Sequence, residues 1–158
     1  MSAVAPAENP YAHADSTWID ASPHQVYDLV SDVTRHGEWS VFTRACEWDP
    51  GDGPRLGAHF TGHNSRPGRE WSTRSEVVVA NPGREFAWEV RDGFVRWGYE
   101  MAHDGDGTRL TQRWDFRPSG QAWVRETFGE EGITLRIEDA RTSIPATLAA
   151  IKEILERS

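Results

Sequence analysis

Apolar and polar positions alternate with a period of two between residues 43 and 117, in segments rich in Val, Trp, Phe, Tyr and Thr. Short glycine-containing turn sequences separate these segments, at 50–53, 67–68, 82–83, 92–93 and 104–107. Such alternation is typical of strands that bury one face, and turns of this composition join neighbouring antiparallel strands. The pattern therefore predicts six consecutive antiparallel strands in a meander.

Helical spacing of apolar residues occurs before the meander. Ser22 followed by Pro23 has the form of an N-cap with proline at the first helical position. The apolar residues that follow predict a short helix ending near Asp32. A second short turn or helix is predicted around residues 34–38, and a short strand at 16–20 precedes both helices.

A long helix is predicted for residues 132–156, where apolar residues form one stripe. Pro145 lies inside this segment and should kink the helix or delay its effective start. A large sheet has one face to bury, and only this helix is long enough to cover it. The fold class that follows is α+β, with a curved antiparallel seven-stranded sheet wrapped on a long C-terminal helix.

The length and composition are those of one folded domain. The chain has 158 residues, of which 37% are hydrophobic and 11% aromatic, enough for a single sizeable core. Residues 1–12 are small and polar and are predicted to form a flexible lead-in. Residues 13–158 are predicted to form the domain, whose eight tryptophans need a large surface to pack against.

The charge balance and the rarity of cysteine exclude several classes of protein. A net charge of -8 disfavours nucleic-acid binding, which requires a concentrated positive surface. The apolar runs are too short for an integral membrane segment, and the first ten residues lack the features of a secretory signal. Cys46 is the single cysteine, so no intramolecular disulfide forms and a reducing compartment is favoured. We expect a cytoplasmic protein.

The turns also predict which strand residues point inward, because directly opposed residues of a hairpin lie on the same face. The expected pairs are Asn64 with Arg69, Val79 with Phe86, Val90 with Val95, and His103 with Thr108. All four hairpins then agree on one apolar face, whose members are Phe60, Asn64, Trp71, Thr73, Ser75, Val77, Phe86, Trp88, Trp97, Tyr99, Gln112 and Trp114. The opposite face is charged, and Arg96 is expected between Glu89 and Asp115.

The predicted inner face mixes tryptophans with polar residues. Trp88, Trp97 and Trp114 form a row with Val77, and a neighbouring row contains Gln112. Burying an amide or hydroxyl without a partner costs about 1–3 kcal/mol. Several such groups are better tolerated if the sheet and the long helix enclose a partly wet cavity that holds a ligand. The alternative is that each polar residue has a neighbouring partner and the tryptophans fill the core.

The order of elements and several segments carry a family resemblance. The segments are 19–23 followed by Val26 and Tyr27, then 31–40, 57–64, 81–88 and 107–112. From about residue 14 to 156 the chain resembles the SRPBCC superfamily, which includes START lipid-transfer domains, birch-pollen-allergen-like proteins and bacterial polyketide cyclase/dehydrase-type proteins. The resemblance implies a helix-grip fold, in which the sheet and the helix enclose a hydrophobic ligand cavity. Members bind lipids, sterols, quinones or aromatic polyketides, and some cyclise or dehydrate a polyketide.

By this resemblance, the inward-facing residues would line the cavity, with Glu38, Trp39 and Phe42 near one opening. Arg141, on the long helix, would turn its guanidinium inward. If the protein is an enzyme, the chemistry would be acid–base steering of a polycarbonyl chain. Tyr99 and Gln112 could then donate to carbonyl oxygens while Arg141 stabilises an enolate. The alternative is that Tyr99 and Gln112 are a satisfied cross-strand pair and Arg141 is a surface residue.

Other chemistry has little support in the sequence. His59 and His63 would lie on one strand about 13 Å apart, so no metal site is expected, and no cofactor is indicated. Cys46 has no adjacent histidine in the sequence and is interpreted as a structural thiol. The expected partner is a hydrophobic, aromatic or polyketide-like small molecule bound by a monomer or homodimer. A non-catalytic lipid or quinone carrier and a protein–protein interaction module of the same fold remain as alternatives.

Overall fold

The computed structural model describes residues 9–157. Residues 1–8 of the expected lead-in lie outside the described part of the chain. The strands and helices follow one another along the chain as β1 (Ala12–Ile19), α1 (Pro23–Val30), a 3₁₀ helix (Val33–Glu38), β2 (Thr43–Trp48), β3 (His59–Arg66), β4 (Arg69–Asn81), β5 (Glu85–Val90), β6 (Val95–Asp104), β7 (Gly107–Phe116) and α2 (Pro118–Glu156). The predicted α+β class and order of elements are confirmed.

The start of α1 is fixed by the residues that predicted it. The Ser22 side chain accepts from the Gln25 backbone N–H at 3.2 Å, and the Gln25 side chain accepts from the Ser22 N–H at 2.8 Å. This reciprocal pair satisfies backbone donors that the first helical turn leaves open, and Pro23 has no N–H to satisfy. The helix ends at Val30, slightly before the predicted end.

The seven strands form one antiparallel sheet in the order β1-β7-β6-β5-β4-β3-β2. β1 begins at Ala12, earlier than predicted, and pairs with β7 at one edge of the sheet. The remaining six strands are the predicted meander. The sheet curves around α2, and the buried residues of α1 pack on the same apolar face.

The predicted register holds in two hairpins and is wrong in two. Val90 faces Val95 and His103 faces Thr108, as expected. Asn64 instead faces Trp71, because a two-residue turn at 67–68 joins β3 to β4. That shift of two residues leaves every side chain on its predicted face, since the side-chain period of a strand is two.

A register shift between Val77 and Val79 changes the hairpin formed by β4 and β5. Phe86 faces Ala80 and not Val79, the residue expected there. The extra residue in β4 displaces Val79 from its predicted pairing. Beyond this bulge, Val77 still faces Trp88 in the predicted aromatic row.

The long helix begins earlier than predicted and is interrupted at a different residue. α2 starts at Pro118, which occupies its first turn, and consists of two helical stretches that meet at Gly129. The predicted helix of residues 132–156 corresponds to the second stretch, and the stretch before Gly129 was not predicted. The non-helical dihedral angles inside α2 belong to Gly129, with φ 73° and ψ -172°, a combination essentially restricted to glycine. The break in α2 is thus at Gly129, whereas the dihedral angles at Pro145 remain helical. None of the described helices combines the length and the apolar character that a membrane span requires.

The outer face of the sheet is charged, with one difference in its pairing. Glu89 and Asp115 are the register neighbours of Arg96, as expected. The Arg96 guanidinium nevertheless binds Glu85 at 3.2 Å, while Glu89 binds Arg117 at 2.9 Å. These exposed ion pairs each contribute at most about 1 kcal/mol.

Candidate functional site

A cavity of about 410 Å³ lies between the inner face of the sheet and α2. Aromatic rings form much of its wall: the centroid of Trp97 lies 6.4 Å from that of Trp114, and Trp88 lies 5.8 Å from Tyr99. Twelve of the residues expected at the site contribute to the lining, namely Trp39, Phe42, Phe60, Asn64, Trp71, Thr73, Ser75, Trp88, Trp97, Tyr99, Gln112 and Trp114. Another concavity, of about 390 Å³, lies on the charged outer face around Glu85, Arg96 and Arg113.

Three expected site residues lie elsewhere. The Glu38 carboxylate is half-exposed and accepts from Arg35 at 2.6 and 2.8 Å, outside the cavity wall. Phe86 is fully buried behind the wall and packs edge-on against Tyr27. Arg141 is exposed on the outer side of α2, so its guanidinium does not reach the cavity.

Arg141 misses the cavity because of the phase of α2. Near residue 141, the cavity-lining residues of α2 form a stripe that repeats about every helical turn, namely Leu135, Arg136, Asp139, Ala140, Ser143 and Thr147. Gly120, Trp123 and Val124 line the cavity near the start of the helix. Residue 141 lies off this stripe. The arginine that α2 brings to the cavity is Arg136, which the sequence analysis missed.

Tyr99 and Gln112 face each other at the centre of the cavity wall. Both side chains are buried, and the Gln112 Nε2 donates to the Tyr99 hydroxyl at 3.5 Å, at the long limit of a hydrogen bond. Burial raises the pKa of Tyr99 well above its ordinary value, so the phenol keeps its proton at neutral pH. The nearby Trp39 partly opposes this rise, although its indole N–H does not reach hydrogen-bonding geometry with any described group.

The polar residues nearer the β3–β4 turn have partners in the protein. The Thr43 hydroxyl donates to the Asn64 side-chain oxygen at 2.8 Å. The Asn64 amide in turn donates to the Thr73 hydroxyl at 3.4 Å. For Asn64, the interpretation of a polar residue satisfied by its neighbours is therefore correct.

His36 is a cavity residue that sequence reasoning missed. Its ring contacts Trp39 and Trp88, with centroids 5.3 Å away in both cases, and Phe60 at 6.2 Å. Burial lowers the pKa of His36 to about 4, against smaller opposing effects of Asp32 and the Val30 backbone, so the imidazole is neutral at pH 7. The Val30 carbonyl is near the ring but does not reach hydrogen-bonding geometry with the Nε2. His36 lies in the predicted short helix and Trp39 directly follows it. Their spacing of three residues was the signal that could have placed both side chains on one face.

The thiol of Cys46 also lines the cavity, and it does have a histidine neighbour. Its Sγ lies 3.7 Å from the His36 Nδ1. Burial raises the pKa of Cys46 to about 12, and Glu47 adds to that rise. The thiol is therefore protonated and unreactive at neutral pH, which supports its interpretation as a structural residue.

Three buried side-chain atoms on the cavity wall have no hydrogen-bond partner within residues 9–157. They are the His36 Nε2, the Trp39 Nε1 and the Gln112 Oε1. All three side chains are at least nine-tenths buried. An indole N–H can only donate, an amide oxygen can only accept, and the neutral imidazole nitrogen does either according to its tautomer.

Arginines dominate the other end of the cavity. Arg66 and Arg69 come from the facing ends of β3 and β4, and Arg136 comes from α2. Arg66 binds Asp139 with N–O distances of 2.8 and 3.4 Å. Burial lowers the pKa of Arg136, and the nearby Arg69 lowers it further.

A group of metal-ligating residue types lies away from the cavity. Single ligand atoms of Asp49, Asp52 and His59 lie within 4.8 Å of one another. Asp49 already binds Arg74 at 2.9 Å, and Asp52 accepts from the His59 backbone N–H at 2.9 Å. These protein partners occupy the carboxylates, and the group is not part of the candidate site.

Comparison with known proteins identifies the family. Residues 13–149 match the family described as polyketide cyclase / dehydrase and lipid transport, and the chain belongs to it. No curated protein sequence matches the chain.

Solved structures show the same fold. The Polyketide_cyc-like protein Cgl2372 from Corynebacterium glutamicum is 50% identical, with a TM-score of 0.70 over 92% of this chain and 91% of that one. The Zhui aromatase/cyclase from Streptomyces sp. R1128 is 18% identical, with a TM-score of 0.74 over 92% and 93% of the two chains. The di-domain ARO/CYC StfQ of the steffimycin biosynthetic pathway is 14% identical, with a TM-score of 0.70 over 93% of this chain and 51% of that one.

Proposed function

We propose that the protein binds a hydrophobic, aromatic or polyketide-like small molecule in its internal cavity. The observation that carries this proposal is the set of three unpartnered atoms, on His36, Trp39 and Gln112, beside a wall of tryptophans. A buried polar group without a partner costs about 1–3 kcal/mol. A bound molecule with oxygen substituents offsets that cost by supplying the missing partners.

The three atoms also indicate which substituents the molecule carries. The Trp39 N–H suits a carbonyl oxygen, and the Gln112 Oε1 suits a hydroxyl donor. The neutral His36 accommodates either group. The aromatic rings around them favour a flat, apolar body, so an oxygenated aromatic molecule fits both parts of the wall.

Cyclisation or dehydration of a polyketide is the second candidate function, and the Tyr99–Gln112 pair favours it. A phenol that stays protonated at neutral pH can donate to a carbonyl oxygen as negative charge develops there. The family description and the similar aromatase/cyclase folds are consistent with this chemistry. Arg141 does not take part in this chemistry, because it is exposed and does not line the cavity.

Native mass spectrometry of freshly purified protein tests the binding function and identifies the ligand. We expect a bound small molecule in the wild type and none in the double variant Trp97→Ala, Gln112→Leu, with both proteins folded. Arg113→Leu is the matched control and should keep the ligand, because Arg113 is next to Gln112 on β7 but is exposed. Equal occupancy in the double variant and the wild type would exclude this site.

A turnover assay separates the enzyme from the lipid or quinone carrier. A poly-β-ketone mimic is incubated with wild type, with Tyr99→Phe and without protein. Cyclisation would be supported if the wild type gives cyclised products that differ from those formed without protein, and if Tyr99→Phe gives the same products as the incubation without protein. Identical product profiles in all three incubations would leave binding as the function.

A further inference from the structure

The arginine end of the cavity carries more positive charge than the protein neutralises. Arg66, Arg69 and Arg136 all line this end, together with one carboxylate, that of Asp139. Among residues 9–157, Arg66 with Asp139 is the ion pair that this group makes. Arginine does not lose its proton in proteins, so the three guanidiniums stay charged at any physiological pH.

Aromatic rings lie against all three of these guanidiniums. The Arg66 guanidinium carbon lies 5.1 Å from the centroid of the Phe42 ring. The Arg69 guanidinium carbon lies 4.7 Å from the centroid of the Trp71 ring and 5.0 Å from that of Phe128. The Arg136 carbon lies 5.3 Å from the same Phe128 ring. Stacking of this kind orients a guanidinium but does not neutralise it, and leaves its N–H donors open along the plane. The hydrogen bond that Arg136 makes, to the Gly132 carbonyl, is long at 3.5 Å.

The crowding of like charges makes an anion favourable here. Burial and the neighbouring Arg69 both destabilise the charged form of Arg136. An anion placed between Arg69 and Arg136 would gain two charge-assisted hydrogen bonds and relieve their repulsion. Asp139 offsets only part of this repulsion, because both of its carboxylate oxygens bind Arg66.

The arginine end lies far from the unpartnered polar atoms. Arg66 follows Phe60 by six residues on the inner side of β3, which separates their Cα atoms by about 20 Å. Phe60 contacts His36 at the other end. One elongated molecule can therefore place a charged group at the arginines and its body against the tryptophans.

We propose that the ligand is an amphipathic anion, whose carboxylate or phosphate head group binds Arg69 and Arg136 while its apolar body occupies the tryptophan-lined cavity. This inference rests on the proposed binding function and narrows it from hydrophobic molecules in general to acids with a flat or elongated apolar body. Arg66, tied to Asp139, marks the edge of the head-group site and supplies a third positive charge.

Three fluorescent probes that differ only in the head group test this inference. They are pyrenebutanol, pyrenebutyric acid and pyrenebutyl phosphate, titrated into the full-length protein at low salt. We expect at least one of the two anions to bind about tenfold or more tightly than the alcohol. The preference should shrink at high salt, because salt screens exposed charges. The anion that binds more tightly distinguishes a carboxylate from a phosphate head group.

Variants show whether the preference comes from these arginines. Arg69→Gln with Arg136→Gln should abolish the preference, so that the anions and the alcohol bind this variant with equal affinity. Arg69→Gln alone provides the test if the double variant does not fold, and should remove part of the preference. Arg141→Gln, on the exposed side of the same helix, should retain it in full.

The outcomes separate the two proposals. Equal binding of anions and alcohol to the wild type would overturn the head-group inference and leave the binding function standing. An anion preference that survives in both glutamine variants would also overturn it. Failure of all three probes to bind would count against the binding function itself.

Discussion

The imidazole of His36 and the thiol of Cys46 face each other across the cavity wall, with 3.7 Å between Nδ1 and Sγ. In many enzymes such a pair activates a nucleophile by forming a thiolate and an imidazolium. Here burial acts against both charges, raising the pKa of Cys46 to about 12 and lowering that of His36 to about 4. The pair is neutral, and it contributes a polar patch to the cavity wall.

Cys46 should resist alkylation in the folded protein. At pH 8 its thiolate fraction is on the order of a thousandfold lower than that of a free cysteine, because burial raises its pKa to about 12. Alkylation slows in proportion, since only the thiolate reacts. We expect iodoacetamide to modify the native protein more slowly than a cysteine peptide by at least that factor. The protein unfolded in urea should react at the rate of the peptide. A native rate close to that of the peptide would show that the thiol is activated.

The stability of the fold should decrease as the pH falls from about 6.5 to about 4. In this range the unfolded chain protonates His36 and the folded protein does not, because the folded pKa is about 4. The loss attributable to His36 between pH 6.5 and pH 5 is about 1–2 kcal/mol. Urea unfolding at several pH values measures it.

His36→Gln isolates this contribution, because glutamine cannot be protonated in this range. Its free energy of unfolding should change less with pH than that of the wild type, whatever its absolute stability. His103→Gln, at an exposed position, is the control and should keep the slope of the wild type. Parallel slopes for wild type and His36→Gln would refute the lowered pKa.

Gly120 should not tolerate a side chain. A Cβ at this position of α2 would lie 2.9 Å from the carbonyl carbon of Phe94 and closer still to its oxygen. We expect Gly120→Ala to destabilise the protein by about 1–3 kcal/mol, as overpacking does in a closely packed site. Gly53→Ala is the comparison, because the nearest atom to its Cβ is the end of a flexible arginine at 3.4 Å. Equal melting temperatures for the two variants would show that α2 does not pack on Phe94 in this way.

Gly129 should be required for the break in α2. Its backbone conformation is costly for any residue with a Cβ, although no atom stands in the way of one. Gly129→Ala should therefore destabilise the protein by about 1–3 kcal/mol through strain alone. Thermal unfolding measures this cost, and an unchanged or raised melting temperature would mean that α2 runs through position 129 without a break.

The inner face of the sheet could be predicted from the sequence because it depends on parity alone. The register of β3 and β4 is shifted by two residues from the prediction, yet Asn64 and Trp71 still point inward. The bulge after Val77 could not be predicted, since nothing in the local sequence distinguishes an extra residue from a regular pair.

The helical side of the cavity was harder to predict. The apolar stripe that defines α2 contains Ile144 and Leu148, which are buried in the core. The stripe that faces the cavity lies beside it and includes Arg136 and Ser143, residue types that hydrophobic periodicity assigns to solvent. Periodicity thus located the helix and its core face, but not its cavity-facing stripe.

A variant that fills the cavity tests the central claim most directly. Ser143 points from α2 into the cavity, whereas Ala146 on the same helix is exposed. Titration with pyrenebutanol should show binding to the wild type and to Ala146→Phe, and none to Ser143→Phe. The melting temperature of Ser143→Phe should be maintained, because its ring enters open space and not a packed core. Equal affinity in all three proteins, or a Ser143→Phe variant that loses its fold, would contradict an internal binding cavity.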